Sequence, residues 1–144
     1  MSEPKQYCTF FLDDLYFGVD VLKVQEIIRY QEMTRVPLAP NMVNGLINLR
    51  GQIVTAVDLR KRLEMETREG DELPTNVVIR TDDGAVSLLV DEIGDVVEVN
   101  EDSHERAPET IKRMARDMIR GIYKLKDRLL LVLDTEKALN FSEG

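Results

Sequence analysis

The sequence predicts a mainly β protein made of two similar units, each with about five short strands and a few short helices. Three observations carry this reading. Short runs of β-branched, aromatic and aliphatic residues alternate with Asp, Gly and Pro turn signals along the chain. The stretch Met42–Leu63 aligns without a gap on Met118–Leu139, 76 positions later. A polar stretch near residues 64–75, carrying Gly70 and Pro74, separates the copies as a linker. The expected organisation is a single domain over 6–140 with approximate halves 6–66 and 74–140, whose strands are free to cross between lobes.

Taken in order, Gln6–Leu12 (QYCTFFL) reads as a strand ended by Asp13-Asp14, and Tyr16–Val19 returns as its hairpin partner. Val21–Ile28 is ambiguous. Its apolar positions 21, 24, 27 and 28 suit a helix, whereas Ile27-Ile28 is β-branched. The second copy carries Gly94 and then Val96-Val97-Glu98-Val99, which disfavours a long helix. Leu22–Val24 is therefore read as one helical turn and Gln25–Tyr30 as strand. Pro37 to Pro40 marks a loop, and Met42-Val43-Asn44-Gly45 reads as a helical turn closed by glycine. Leu46–Arg50 and Ile53–Val57 flank a tight hairpin at Arg50-Gly51-Gln52, with Gly51 supplying a positive φ. Asp58 is the expected N-cap of a short helix, Leu59–Leu63.

The second unit repeats the scheme. Asn76–Thr81 and Ala85–Val90 form a hairpin around Asp82-Asp83-Gly84, and Val96–Val99 continues as strand. An acidic loop, Asn100–Pro108, leads to Ile111, Met114, Ala115, Met118 and Ile119, whose spacing predicts an amphipathic helix ended by Gly121. Arg128–Leu133 reads as strand, and Asp134 as the cap of a last helix, Thr135–Leu139.

Six of the aligned pairs are identical: Met42/Met118, Gly45/Gly121, Leu49/Leu125, Asp58/Asp134, Lys61/Lys137 and Leu63/Leu139. Ordinary composition would give about one or two. The first parts match more loosely, with Asp13-Asp14 … Val19-Asp20 echoing Asp82-Asp83 … Val90-Asp91.

Composition narrows the function. With 144 residues the chain is long enough to bury roughly 68–70% of its unfolded surface. A net charge of −8 and no long basic run speak against nucleic acid as a partner. The one cysteine, Cys8, excludes an internal disulfide and suits a reducing compartment. The longest aliphatic run, Leu129–Leu133, is far short of the ~20 residues that span a bilayer, so a cytoplasmic protein without membrane insertion is expected. His104 and Cys8 are all that His and Cys chemistry has to draw on, so no metal site is expected. Gly45 and Gly51 lack the context of a phosphate loop, and no cofactor is expected either. Catalytic poverty points to a binding module.

The segments Gly18-Val19-Asp20-Val21-Leu22-Lys23-Val24-Gln25-Glu26-Ile27 and Gly45-Leu46-Ile47-Asn48-Leu49-Arg50-Gly51 then carry a resemblance. Together with Ile53–Val57 leading into Asp58-Leu59, they resemble the CheW family of chemotaxis coupling proteins, from about Gln6 to Leu139. The resemblance implies two small five-stranded SH3-like β-barrels packed around a shared core. It implies a non-enzymatic adaptor that couples chemoreceptor cytoplasmic tips to the regulatory domain of the histidine kinase CheA. Such a protein is cytoplasmic, is recruited to membrane-associated arrays, and is expected to be a monomer in isolation. An adaptor for a kinase of a non-motility pathway, surface or pilus signalling, is the alternative. A phosphorelay carrier through His104 is a distant third, because that residue sits in a charged loop, Glu101–Arg106.

Residue by residue, the resemblance implies receptor binding through Val24, Glu26, Asn48, Leu49, Arg50 and Gly51. Arg50 reads either as a direct bidentate contact or as the residue that orients its loop. Val24 reads either as an exposed apolar contact or as core. Kinase binding is implied at Asn44, Gly45, Ala107, Pro108 and Glu109, with Thr110 standing where some relatives place an aromatic. From the sequence alone Pro108 reads first as the start of the following helix. Cys8 is expected to be a buried small hydrophobe, and Met114 and Met118 to be core.

Overall fold

The structure, a computed structural model, describes residues 4–66, 72–100 and 117–140. The first half runs β1 (Lys5–Leu12), β2 (Leu15–Asp20), a 3-10 turn (Val21–Lys23), β3 (Val24–Ile28), β4 (Val43–Leu49), β5 (Gln52–Asp58) and α1 (Leu59–Arg62). The second runs β6 (Thr75–Thr81), β7 (Gly84–Val90), β8 (Glu92–Val99), β9 (Ile119–Lys124), β10 (Leu129–Leu133) and α2 (Thr135–Leu139). The predicted mainly β class holds, as two five-stranded sheets.

The strands do not stay with their own half. One sheet has the order β8-β1-β2-β10-β9 and the other β3-β6-β7-β5-β4. Each therefore takes its first hairpin from one half of the chain and its other three strands from the other half. The crossing is reciprocal, and its registers repeat. β2 pairs with β10 in parallel with Phe17 opposite Leu131, and β7 pairs with β5 in parallel with Val86 opposite Thr55. The same bulge recurs as well: β4 against β5 shifts between Val43 and Gly45, and β10 against β9 between Val132 and Leu133. Met42 O accepts from Asp58 N at 2.7 Å, and Met118 O accepts from Asp134 N at 2.7 Å, 76 positions on.

In the earlier part of each unit the spacing is 69. Val24 lies opposite Ile79, and Ile93 opposite Phe10. The looser sequence match of Asp20 with Asp91 thus gives way to a structural match of Leu22 with Asp91.

A core of Phe10, Leu12, Phe17 and Val19 from one sheet meets Val57, Val77, Ile79, Leu88 and Val90 from the other. Leu59, Leu63 and Ala138 of the two helical turns close its ends. Each sheet also covers a cluster of its own: Tyr7, Tyr16, Tyr123, Leu130 and Val132 in one, Leu49, Val54 and Val78 in the other. Asp58 and Asp134 cap their helices as predicted, accepting from Arg60 N (3.0 Å) and Lys137 N (3.1 Å).

Two local readings are corrected. Met42–Gly45 is not a helical turn. The backbone is extended from Val43, and Gly45 lies inside β4 because Thr34 bridges to Leu46 across it, with N–H···O distances of 2.8 Å both ways. The predicted helix over Ile111–Ile119 does not reach its end: Met118 lies in a turn and Ile119 opens β9, paired with Leu133. Gly121 accordingly serves as a strand residue opposite Val132, and not as a helix stop. Residues 111–116 lie outside the described residues.

Candidate functional site

The turn between β4 and β5 has two residues, Arg50 and Gly51, closed by Leu49 opposite Gln52. Both have positive φ, +52° and +88°, as a hairpin turn matched to the right-handed strand twist requires. Asn48 Oδ1 accepts from Gly51 N at 2.9 Å and fixes the turn. This conformation throws the Arg50 side chain toward β3, where its guanidinium donates to Glu26 Oε2. β3 and β4 are opposite edges of their sheet, so this ion pair ties the two edges together. The Arg50 hydrogen bond holds the Glu26 carboxyl below the usual glutamate range, and Glu26 raises Arg50 in turn. The Arg50 side chain remains 70% exposed, and its remaining donors face solvent.

Four of the six predicted receptor residues thus form one feature: Glu26, Asn48, Arg50 and Gly51. The other two face inward. Leu49 is buried with Val54 and Val78, and Val24 is half-buried against the shared core. In the second unit the matched turn carries Lys126 in place of Arg50, and there Arg128 lies over the rings of Phe11 and Tyr16, 5.2 and 5.0 Å from their centroids.

The sequence reading missed Leu22, which is 79% exposed. The 3-10 turn that holds it buries none of its three residues, because Asp20 caps it and its Leu22 N–H at 2.9 Å turns the chain outward. Leu22 stands at the rim of an open cleft of about 700 Å³ between the β6–β7 hairpin and α2, lined also by Lys23, Arg80, Val86, Glu136 and Leu139. Ile53, paired with Asn48, and Ile27 are further exposed apolar residues near the Arg50 turn. The signal available was Asp20 followed by three residues before the β3 strand, an Asx-type cap on a turn too short to bury anything.

Of the predicted kinase residues, Asn44 is exposed, with its Nδ2 3.1 Å from Met33 Sδ. Gly45 is buried beneath Thr34 and offers no surface. The loop above it exposes Leu38 completely, at φ +64°. Ala107, Pro108, Glu109 and Thr110 lie outside the described residues, as do Ser103 and His104. Cys8 is buried, and burial pushes its thiol up. No group of three His, Cys, Asp or Glu suited to a metal occurs among the described residues.

The chain as a whole has counterparts among known proteins. A CheW-like domain matches residues 6–143. The chain belongs to the CheW family. Its relatives include a chemotaxis protein CheW of Klebsiella aerogenes, 32% identical over 139 residues, covering 96% of this chain and 84% of that protein. Another is the CheW of Bacillus subtilis, 34% identical, covering 91% of this chain and 84% of the relative. Among solved structures, the scaffolding protein CheW of Thermoanaerobacter tengcongensis superposes with a TM-score of 0.79 at 28% identity. That match covers 92% of this chain and 86% of the other. Membership of the CheW family makes the chain a chemotaxis adaptor. No helix among the described residues is long and apolar enough to cross a membrane.

Proposed function

We propose that the chain is a non-enzymatic adaptor that couples the cytoplasmic tips of chemoreceptors to the histidine kinase CheA. The observation that carries this is the open cleft and its continuation. Leu22 in the 3-10 turn at the cleft rim and Glu26 on β3 beside the Arg50 turn lie on one short segment, offering an apolar seat followed by a charged clamp. An amphipathic helix of a receptor tip lays its apolar face on Leu22, Val86 and Leu139. The free donors of Arg50 then take a carbonyl or carboxylate of that helix. Asn48 and Gly51 hold the turn, and Leu49 and Val24 support it from beneath.

The kinase regulatory domain is assigned to the other end of β4, at Asn44 and the loop that Gly45 seats. Ala107, Pro108 and Glu109 belong to the same assignment by resemblance. Bound to both partners, the protein is held at the membrane-associated array. The test is a pair of titrations with a receptor-tip fragment and a CheA regulatory domain. Leu22→Asp is expected to abolish receptor binding and leave kinase binding intact. Retention of receptor affinity by Leu22→Asp, or binding to neither partner by the native chain, refutes the reading.

A further inference from the structure

The loop that Gly45 seats leaves the sheet after Thr34 and rejoins it at Val43. Its stretch Val36-Pro37-Leu38-Ala39-Pro40-Asn41-Met42 carries no charge, in a chain that is 32% charged. Ala39 N donates to Val36 O at 3.4 Å and closes a β-turn with Pro37 and Leu38 at its centre; Val43 N then donates to Pro40 O at 2.9 Å. Proline second in the turn and a φ of +64° at the third residue, Leu38, are the marks of a type II turn. That third place ordinarily takes Gly or Asn, because the Cβ of other residues crowds the backbone there.

Leu38 is thus doubly unfavourable within the molecule. Its backbone sits in the left-handed region that a bulky residue rarely adopts, and its side chain is the most exposed of the large apolar ones among the described residues. The other described non-glycine residues with positive φ, Asp13, Arg50 and Glu64, are all polar. Fully exposed, Leu38 buries nothing that offsets either cost. A contact with another molecule does.

We propose that Leu38 is a preformed apolar anchor that enters an apolar socket on the kinase regulatory domain. Pro37 and Pro40 restrict the loop, so little order is lost on binding. Exposed Pro37 and Pro40 and half-buried Ala39 surround the anchor with an uncharged collar, which a partner covers without desolvating a charge. The receptor seat is elsewhere: Val43 and the Arg50 turn lie at opposite ends of the seven-residue β4, about 20 Å apart at the rise of an extended strand. A second copy of the chain is a poor partner, since its open cleft is rimmed by Lys23, Arg80, Asp82, Asp83 and Glu136 and suits an amphipathic helix, not an uncharged knob. This inference rests on the assignment of the kinase to this end of β4.

The experiment titrates the full chain with a CheA regulatory domain by calorimetry, with a receptor-tip fragment as the control. Leu38→Asn removes the apolar group and keeps a residue that tolerates the left-handed backbone. It is expected to weaken kinase-domain binding about 10- to 100-fold, as loss of one buried leucine does, and to leave receptor-tip binding unchanged. Its melting temperature is expected to rise by a few degrees, because the strain is relieved. Leu38→Met keeps an apolar side chain and is expected to bind the kinase domain within about threefold of the native chain. Native kinase affinity in Leu38→Asn overturns the proposal, as does a melting temperature lowered by that substitution. Leu38→Met binding no better than Leu38→Asn overturns the apolar socket. A native dimer in sedimentation that Leu38→Asn dissolves gives the anchor to a second copy and overturns the kinase as its partner. A native chain that does not bind the kinase domain at all marks failure of the kinase assignment itself.

Discussion

The identical glycines of the repeat, Gly45 and Gly121, give a sharp prediction because their surroundings differ. A Cβ placed on Gly45 would lie 2.8 Å from Met33 Cβ and 2.8 Å from the backbone oxygen of Thr34. Neither neighbour is the end of a flexible side chain, so no rotamer change relieves the clash. The loop must back away from β4, which stretches the two 2.8 Å bonds between Thr34 and Leu46. Overpacking of this kind costs about 1–3 kcal/mol. Weakening two backbone bonds adds on the order of 1 kcal/mol, and the entropy that Ala removes from the unfolded chain returns a similar amount. The net expectation for Gly45→Ala is a loss of about 2 kcal/mol, or a melting temperature lower by about 4–8 °C for a domain of this size. At Gly121 the nearest atoms are those of the Tyr123 ring, 3.5 Å away, an ordinary contact. Gly121→Ala is expected to be neutral or to stabilise by about 0.5 kcal/mol. Urea and thermal melts of the two variants decide it. Equal stabilities, or a neutral Gly45→Ala, would refute the claim that Gly45 serves to seat the bridging loop.

Other consequences are as direct. Arg62 donates to three carbonyls at the end of α2, those of Ala138 (2.6 Å), Lys137 (3.0 Å) and Asn140 (3.2 Å), and so joins the two halves; Arg62→Ala should lose about 1.5–3 kcal/mol in a urea melt. Arg50→Ala should lower receptor-tip affinity about tenfold with little change in melting temperature, because the pair is exposed. In a carboxyl NMR titration Glu26 should titrate below an ordinary glutamate and return toward it in Arg50→Ala. The folded value is the lower one, so the pair's contribution is present at neutral pH and is lost as pH falls through it. The Tyr7 phenol is pushed up to about 12, chiefly by burial and then by Tyr123. Its folded value lies above the unfolded value of 10.0, so stability should fall as pH rises from about 10 to about 12, and Tyr7→Phe should flatten that fall.

What could be read from the sequence was mostly local chemistry. Asp58 and Asp134 announce helix starts because a carboxylate before a short apolar turn satisfies free N–H groups there. Arg50-Gly51 announces a tight hairpin because Gly51 accepts a positive φ at no steric cost. Repetition 76 residues apart located the second copy of β4, β5 and the helix that follows. What was hidden depends on distant partners. Gly45 after three helix-compatible residues reads as a helix stop, and only the bridge from Thr34 turns it into a strand glycine. Met118 and Ile119 fit a helical stripe equally well until pairing with Leu133 claims Ile119 for β9. The exchange of hairpins between the halves leaves no mark in either half, since each strand is equally amphipathic in its own lobe or the other.

The adaptor reading requires that one chain hold a receptor tip and a kinase regulatory domain at once, through different surfaces. Its most direct test is a size-exclusion experiment with light scattering, mixing the chain with both fragments at saturating concentration. The account predicts a ternary peak with one of each component, reduced to the kinase complex alone by Leu22→Asp. Displacement of one fragment by the other would contradict it.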